Sequence, residues 1–287
     1  MTFHPSRRAV AAGLLALTGA RPSLASTCAP DRLGTARMLP VGTRGGLQVG
    51  LKTYPAALPL GPREVVLTFD DGPSPGTTPQ VLDALACEGA KATFFLIGRN
   101  AEAHPALVRR IRENGHTLAC HTWSHPWTMR NLSGAAQIRE VEHGFAAIAA
   151  AIGAPDARPG QGGVAPFLRY PGFADTPAAN AWAAERDIGV FGCDLWASDW
   201  VHMTPDFQLA RMMDRLRHAG RGVILFHDTQ AQTAAMLPAF LRALKAEGYA
   251  LVHLQPGSGR TETVAAPAGW TSETERIIAG IRLHRGV

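Results

Sequence analysis

Glu64-Val65-Val66-Leu67-Thr68-Phe69 runs straight into Asp70-Asp71-Gly72-Pro73. A short apolar, β-branched run that stops at a turn-forming Gly-Pro pair reads as a strand buried on both faces, the kind found in parallel sheets. The pattern recurs at residues 92–96, 117–120, 167–170, 188–193, 223–226 and 250–253. Helical patterns fill the intervals, at 79–88, 105–114, 133–152, 176–186, 204–219 and 233–247, with Pro79 and Pro105 placed to open the first two. Strand-helix alternation at this spacing predicts an α/β fold with a mostly parallel sheet, open or closed into a barrel.

The polar residues gather where these strands end. Asp70 and Asp71 follow the first strand, His121 follows 117–120, and Arg169 lies near the end of 167–170. Asp194 and Asp199 come after 188–193, and His227 comes after 223–226. Parallel strands share one C-terminal face, so residues far apart in sequence can meet there. His121-Thr122-Trp123-Ser124-His125 places two imidazoles four residues apart, a spacing that lets both face one ion. With one carboxylate from the Asp70-Asp71 pair they make a two-nitrogen, one-oxygen set that leaves room for water. Such a set suits a catalytic Zn²⁺, although Co²⁺ or another divalent ion fits the same donors. Two adjacent aspartates suggest two roles, one on the metal and one on the proton of the attacking water.

These residues resemble, in order, the five motifs of the polysaccharide deacetylases of NodB-homology type, carbohydrate esterase family four. The likeness covers residues 64–253. It implies a distorted (β/α) barrel with its active site at the strand C-terminal ends. By this likeness Asp70 in Thr68-Phe69-Asp70-Asp71-Gly72-Pro73 is the catalytic base, and Asp71, His121 and His125 are the metal ligands. Arg169 in Arg169-Tyr170-Pro171 holds the base, Asp199-Trp200 is the fourth motif, and His227 in Leu225-Phe226-His227 is the general acid, with Asp199 favouring its imidazolium form. A backbone N–H near Tyr170 to Gly172 is expected to face the developing oxyanion, and Trp200 and Leu225 to pocket the acetyl methyl. One departure stands out. The family has an aromatic residue followed by glycine after Arg-x-Pro, but here Gly172-Phe173 stand in reversed order, which bears on the groove more than on the chemistry.

The implied activity is removal of N-acetyl groups from N-acetylated glycans such as chitin oligomers, peptidoglycan or exopolysaccharide. An O-acetyl esterase or other amide hydrolase on the same site, and a non-catalytic carbohydrate-binding relative, are the competing readings. A nucleic-acid partner is not expected. Of the 28 Lys and Arg set against 23 Asp and Glu, Arg7, Arg8 and Arg21 fall in the first 25 residues, where there is no acid, and only +2 remains without that stretch. That opening has a positive start at Arg7-Arg8, a short apolar run at 9–20 and small residues at Ser23-Leu24-Ala25, the layout of an export signal cut after residue 25. Export to the periplasm or medium is expected, with Ser6-Arg7-Arg8 compatible with a twin-arginine route, and no stable span in the mature chain.

The remaining organisation is an N-terminal arm at 26–62 with a hairpin near 47–54, a catalytic domain at 63–255, and a tail at 256–287 with one short helix opened by Ser272-x-x-Glu275. Cys28, Cys87, Cys120 and Cys193 are dispersed, so zinc-thiolate spacing is absent, their pairing stays open, and the last three read as small buried hydrophobes. Two tempting motifs fail on physics. Gly72-Pro73-Ser74-Pro75-Gly76 spells a serine-hydrolase elbow, but Pro75 lacks the N–H such an elbow uses. Gly160-Gln161-Gly162-Gly163-Val164-Ala165 spells a dinucleotide fingerprint, but it leads into a strand instead of a helix.

Overall fold

The computed structural model describes Met1, Cys28 and residues 30–285, with side chains as far as residue 279. The export signal expected at residues 1–25 therefore lies outside the described residues, apart from Met1. In chain order the elements are β1 (Arg37–Gly42), β2 (Leu47–Val49), β3 (Ala56–Ala57), β4 (Glu64–Asp70), α1 (Thr78–Cys87), β5 (Thr93–Leu96), α2 (Gly98–Ala103), α3 (Pro105–Glu113) and β6 (Thr117–Cys120). They continue with α4 (Gly134–Ala151), β7 (Val164–Leu168), α5 (Pro177–Ala184), β8 (Gly189–Phe191), β9 (Leu195–Trp196), α6 (Pro205–Ala219) and β10 (Gly222–His227). Last come α7 (Ala231–Ala246), β11 (Ala250–Gly257), β12 (Val264–Ala265) and α8 (Glu273–Arg285). Single 3₁₀ turns sit at Met129–Asn131 and Pro171–Phe173.

The central sheet is parallel and surrounded by helices. β4 is its hub: β10 lies along one edge, and β5 and the start of β11 share the other. The ladder runs on through β6, β7 and β8 to β2, while β9 pairs with β10. The strands curl as a barrel does, but among the described residues no ladder joins β8 to β9, so strand pairing does not close the ring.

Alternation along the strands divides the core in two. Val65, Leu67 and Phe69 of β4, Phe94 and Leu96 of β5, Leu118 of β6, and Ile224 and Phe226 of β10 face the helices in one large cluster. Val66, Phe95, Ala119, Phe167 and Val223 point the other way and fill the barrel interior. Because side chains alternate with a period of two, this parity continues past each strand end. Asp70, His121, Arg169 and His227 fall on the inward set, and Tyr170 falls on the outward one.

Three details differ from expectation. Residues 26–62 form no hairpin at 47–54. They supply β1, parallel to β11, and β2, parallel to β8, because Leu47 and Val49 cover the otherwise bare edge of β8. Gly50 then meets the Gly192-Cys193 backbone so closely that a Cβ would lie 2.5 Å from it, and its φ of 116° suits glycine. Cys87 is not a free hydrophobe but is bonded to Cys28, while Cys120 and Cys193 are buried and free. β7 begins at Val164 and ends at Leu168, ahead of the expected 167–170. The Gly160–Ala165 segment is a turn into this strand, with the Gly160 N–H donating to the Val164 carbonyl at 3.0 Å. As expected, Ser272 caps α8, its Oγ accepting from the Glu275 N–H at 3.2 Å. No helix among the described residues is long and apolar enough to cross a membrane.

Candidate active site

The register places Asp70 of β4 directly beside His227 of β10 at the C-terminal mouth of the barrel. β5 and β6 end alongside them, with Asp70 opposite Phe95 and Leu96 opposite Cys120. The chain then breaks from extended geometry where chemistry is needed. Asp71, Thr122 and His125 all take positive φ (76°, 64° and 57°), which turns Asp71 and His125 back over the mouth instead of letting them follow strand parity. Such left-handed conformations are uncommon for residues other than glycine and mark a backbone held by its surroundings. One of those restraints is Asn100, whose side-chain N–H donates to the Asp71 carbonyl at 2.8 Å.

Asp71, His121 and His125 converge, with their ligand atoms all within 4.8 Å of one another. Asp71 Oδ1 lies 3.4 Å from His121 Nε2 and 3.3 Å from His125 Nε2, and this oxygen is buried without a hydrogen-bond partner. His121 Nδ1 is 2.7 Å from the Arg169 carbonyl, an acceptor, so Nδ1 donates there and the ring presents Nε2 to Asp71. Burial and the neighbouring His121 push His125 down to about 4, leaving it neutral near pH 7. Burial opposes ionisation of Asp71, yet the adjacent imidazole of His121, with those of His227 and His125, holds its carboxyl well below the usual carboxylate range. A carboxylate oxygen with no hydrogen-bond partner facing two imidazole nitrogens fits a divalent cation.

Arg169 is fully buried and spends its donors on four acceptors. Nη1 donates to Asp70 Oδ1 at 2.7 Å and to Thr68 Oγ1 at 2.9 Å; Nη2 donates to the Gly192 carbonyl at 2.8 Å and Nε to the Phe191 carbonyl at 3.2 Å. The guanidinium also lies over the Phe95 ring, 4.2 Å from its centroid. This fixes one oxygen of Asp70 and leaves Oδ2 toward the ligand cluster, 3.8 Å from His121 Nε2.

Opposite stands His227. Its Nδ1 donates to Asp199 Oδ1 at 2.8 Å and its backbone N–H to Asp199 Oδ2 at 2.7 Å, which also accepts from Thr233 at 2.7 Å. Burial disfavours the charge, but Asp199, with help from Asp71 and Asp70, raises the imidazolium pKa to about 9. The outer nitrogen, Nε2, lies 4.0 Å from Asp71 Oδ2.

The residues expected to touch substrate divide. Trp200 is half-exposed and edge-on to His227, with ring centroids 5.9 Å apart. Leu225 lines the mouth in a small cluster with Cys193, Trp196 and the ring of Phe173. Thus the reversed Gly172-Phe173 pair still delivers an aromatic ring, one residue later and against Trp196. Tyr170, by contrast, is 1% exposed and turned into the outer core, its hydroxyl buried without a partner. Its side chain cannot reach a substrate, because the residue after inward-facing Arg169 points outward. Gly172, with φ 54°, keeps its backbone at the mouth.

Two neighbours carry no signal in the sequence pattern. Trp127 stands edge-on to His125 at 4.6 Å. Asp228 is buried beneath the Gly72 turn, where the Thr78 hydroxyl donates to its Oδ2 and Oδ1 has no partner. A Cβ on Gly72 would come within 2.2 Å of that carboxylate, so any larger residue there would have to displace Asp228.

The sequence pattern of the polysaccharide deacetylase family matches residues 58–173. A peptidoglycan-N-acetylglucosamine deacetylase of Bacillus cereus is 32% identical over 208 residues, which span 69% of this chain and 72% of that protein. The peptidoglycan-N-acetylglucosamine deacetylase PgdA of Listeria monocytogenes is 31% identical over 191 residues, 66% of this chain but only 38% of that protein. Among solved structures, a peptidoglycan deacetylase of Bdellovibrio bacteriovorus superposes with a TM-score of 0.68 at 28% identity, covering 78% of this chain and 60% of that one. The chain belongs to the polysaccharide deacetylase family.

Proposed function

We propose that this protein is an exported, metal-dependent N-deacetylase of N-acetylated glycans, with peptidoglycan the first substrate to test because both relatives above carry that name. The observation that carries the reading is the three-sided centre. The unpartnered Asp71 oxygen faces His121 and His125, with Arg169-held Asp70 on one side and Asp199-held His227 on the other.

Asp71, His121 and His125 would hold the metal, zinc being favoured by the donor types and cobalt compatible with them. A divalent cation there supplies Lewis acidity, polarising the acetamide carbonyl and acidifying water. Asp70 takes the proton from the attacking water through Oδ2, since Oδ1 is engaged by Arg169. The Gly172 N–H is the backbone donor for negative charge developing on the acetamide oxygen. His227 arrives protonated and gives its Nε2 proton to the amine nitrogen as the C–N bond breaks, and Asp199 stabilises that charge while fixing the tautomer. Leu225 and Trp200 supply the apolar side of the mouth for the acetyl methyl. Arg7-Arg8 and the apolar run after them support export, as a glycan of the cell envelope requires.

The test is acetate release by the zinc-loaded mature chain from peptidoglycan, N-acetylglucosamine oligomers and an O-acetylated glycan, each with and without chelator. Chelator-sensitive release from an N-acetylated glycan supports the proposal. Release only from the O-acetylated substrate replaces it with an esterase, and no release from any defeats it.

A further inference from the structure

Trp127 is 77% exposed, although its ring stands against His125 of the Asp71–His121–His125 cluster. Its loop is not loose. Met129, two residues on, is fully buried, and its N–H donates to the Pro126 carbonyl at 3.1 Å. The Asn131 N–H donates to the Thr128 carbonyl at 2.7 Å, and Arg130 is tied to Asp175 at 3.4 Å and to Glu275 of α8. A rigid turn therefore holds a large indole out in water, where an apolar ring is least favoured.

Its placement is specific. One edge meets the His125 ring. The six-membered ring lies by Gly172, where even a built Cβ would be 3.9 Å away, so the missing side chain at 172 leaves the indole as the apolar surface on this side of the mouth. Across the mouth Trp200 stands against His227. Asp71 joins the two sides, reaching His125 through Oδ1 and His227 through Oδ2. Two exposed indoles thus bracket the centre, and only the His227 side corresponds to the acetyl pocket.

We propose that Trp127 is a sugar-stacking platform that takes the apolar C–H face of a neighbouring pyranose unit, on the His125 side of the unit being deacetylated. The inference rests on the glycan reading above and adds a second binding position to it. A pyranose matches the surface because its axial C–H groups form a flat apolar face of one ring's size, while its hydroxyls stay in water around the isolated indole. A rigid indole with two side-chain torsions loses little entropy on contact.

Calorimetric titration of the zinc-loaded chain with a tetramer of N-acetylglucosamine tests this, using wild type, Trp127→Ala and Trp127→Phe. We expect Trp127→Ala to weaken binding tenfold or more, and Trp127→Phe, which keeps a ring, to stay within about threefold. Bound zinc, measured on each variant, should be unchanged, which separates stacking from damage to the His125 loop. Equal affinity of wild type and Trp127→Ala, or no tetramer binding to wild type, overturns the proposal. Because binding is read directly, tight tetramer binding without acetate release would defeat the deacetylase reading while leaving this platform in place.

Discussion

Both oxygens of Asp199 are committed to His227, one to Nδ1 at 2.8 Å and one to its backbone N–H at 2.7 Å. A carboxylate that grips the ring and the main chain of the same residue sets the direction of the imidazole as well as its charge. With its pKa raised to about 9, His227 is protonated across the neutral range, as the proposed general acid must be, and loses its proton only above it. The rate of acetate release should therefore fall on a basic limb near pH 9. Asp199→Asn removes the charge but keeps a hydrogen-bonding shape, so that limb should move down by a pH unit or more and turnover should drop roughly a hundredfold. Stability follows the same sign. The raised histidine pKa stabilises the fold fully below about 6.5 and stops doing so as pH rises through 9, so Asp199→Asn should lose more stability at pH 6 than at pH 10, as urea midpoints would show.

Arg169 is fully buried and its guanidinium holds the nearly buried Asp70 carboxylate at 2.7 Å. Arg169→Met keeps length but strands a buried carboxylate. It should cost about 3–5 kcal/mol of folding stability, read from denaturant midpoints, and also abolish turnover. Asp70→Asn combined with Arg169→Met should recover part of that stability without recovering activity, since the stranded charge is then gone.

Asp228 offers a separate pH signature. Burial raises its carboxyl to about 7, against the opposing Thr78 hydrogen bond. Its folded pKa therefore lies above the unfolded one. The folded state holds the proton more tightly, and stability should decline as pH rises from about 4 to 7, by roughly 1.4 kcal/mol for each pH unit. Asp228→Asn should flatten this decline in thermal melts taken from pH 4 to 8, and an unchanged slope would assign it to other groups.

Much of this site was legible because its residues sit at the ends of buried strands, where composition and position agree. Asp70, His121, Arg169 and His227 follow from apolar runs that stop at polar residues, and parity alone carries them inward. The same parity sends Tyr170 outward, but the apolar run extends to 170 in sequence, whereas the strand it belongs to ends at Leu168 after the turn at 160–163. β1 and β2 were hidden because three to six residues among glycines and prolines show too little period, and only the bare edges of β8 and β11 make strands of them. The Cys28–Cys87 pairing is a matter of distance in space, which spacing along the chain does not encode. Trp127 escaped because an aromatic residue in a loop looks the same in sequence whether it packs or protrudes.

The most direct measurement pairs bound zinc with acetate release from the preferred glycan, in wild type, Asp70→Asn and His125→Asn. Asparagine is chosen at 125 because it tolerates the positive φ there, so the loop is not strained by the substitution itself. The account requires His125→Asn to lose zinc and activity together, and Asp70→Asn to keep zinc while turning over at least a hundredfold more slowly. Full activity in zinc-free His125→Asn, or undiminished turnover in Asp70→Asn, would contradict it.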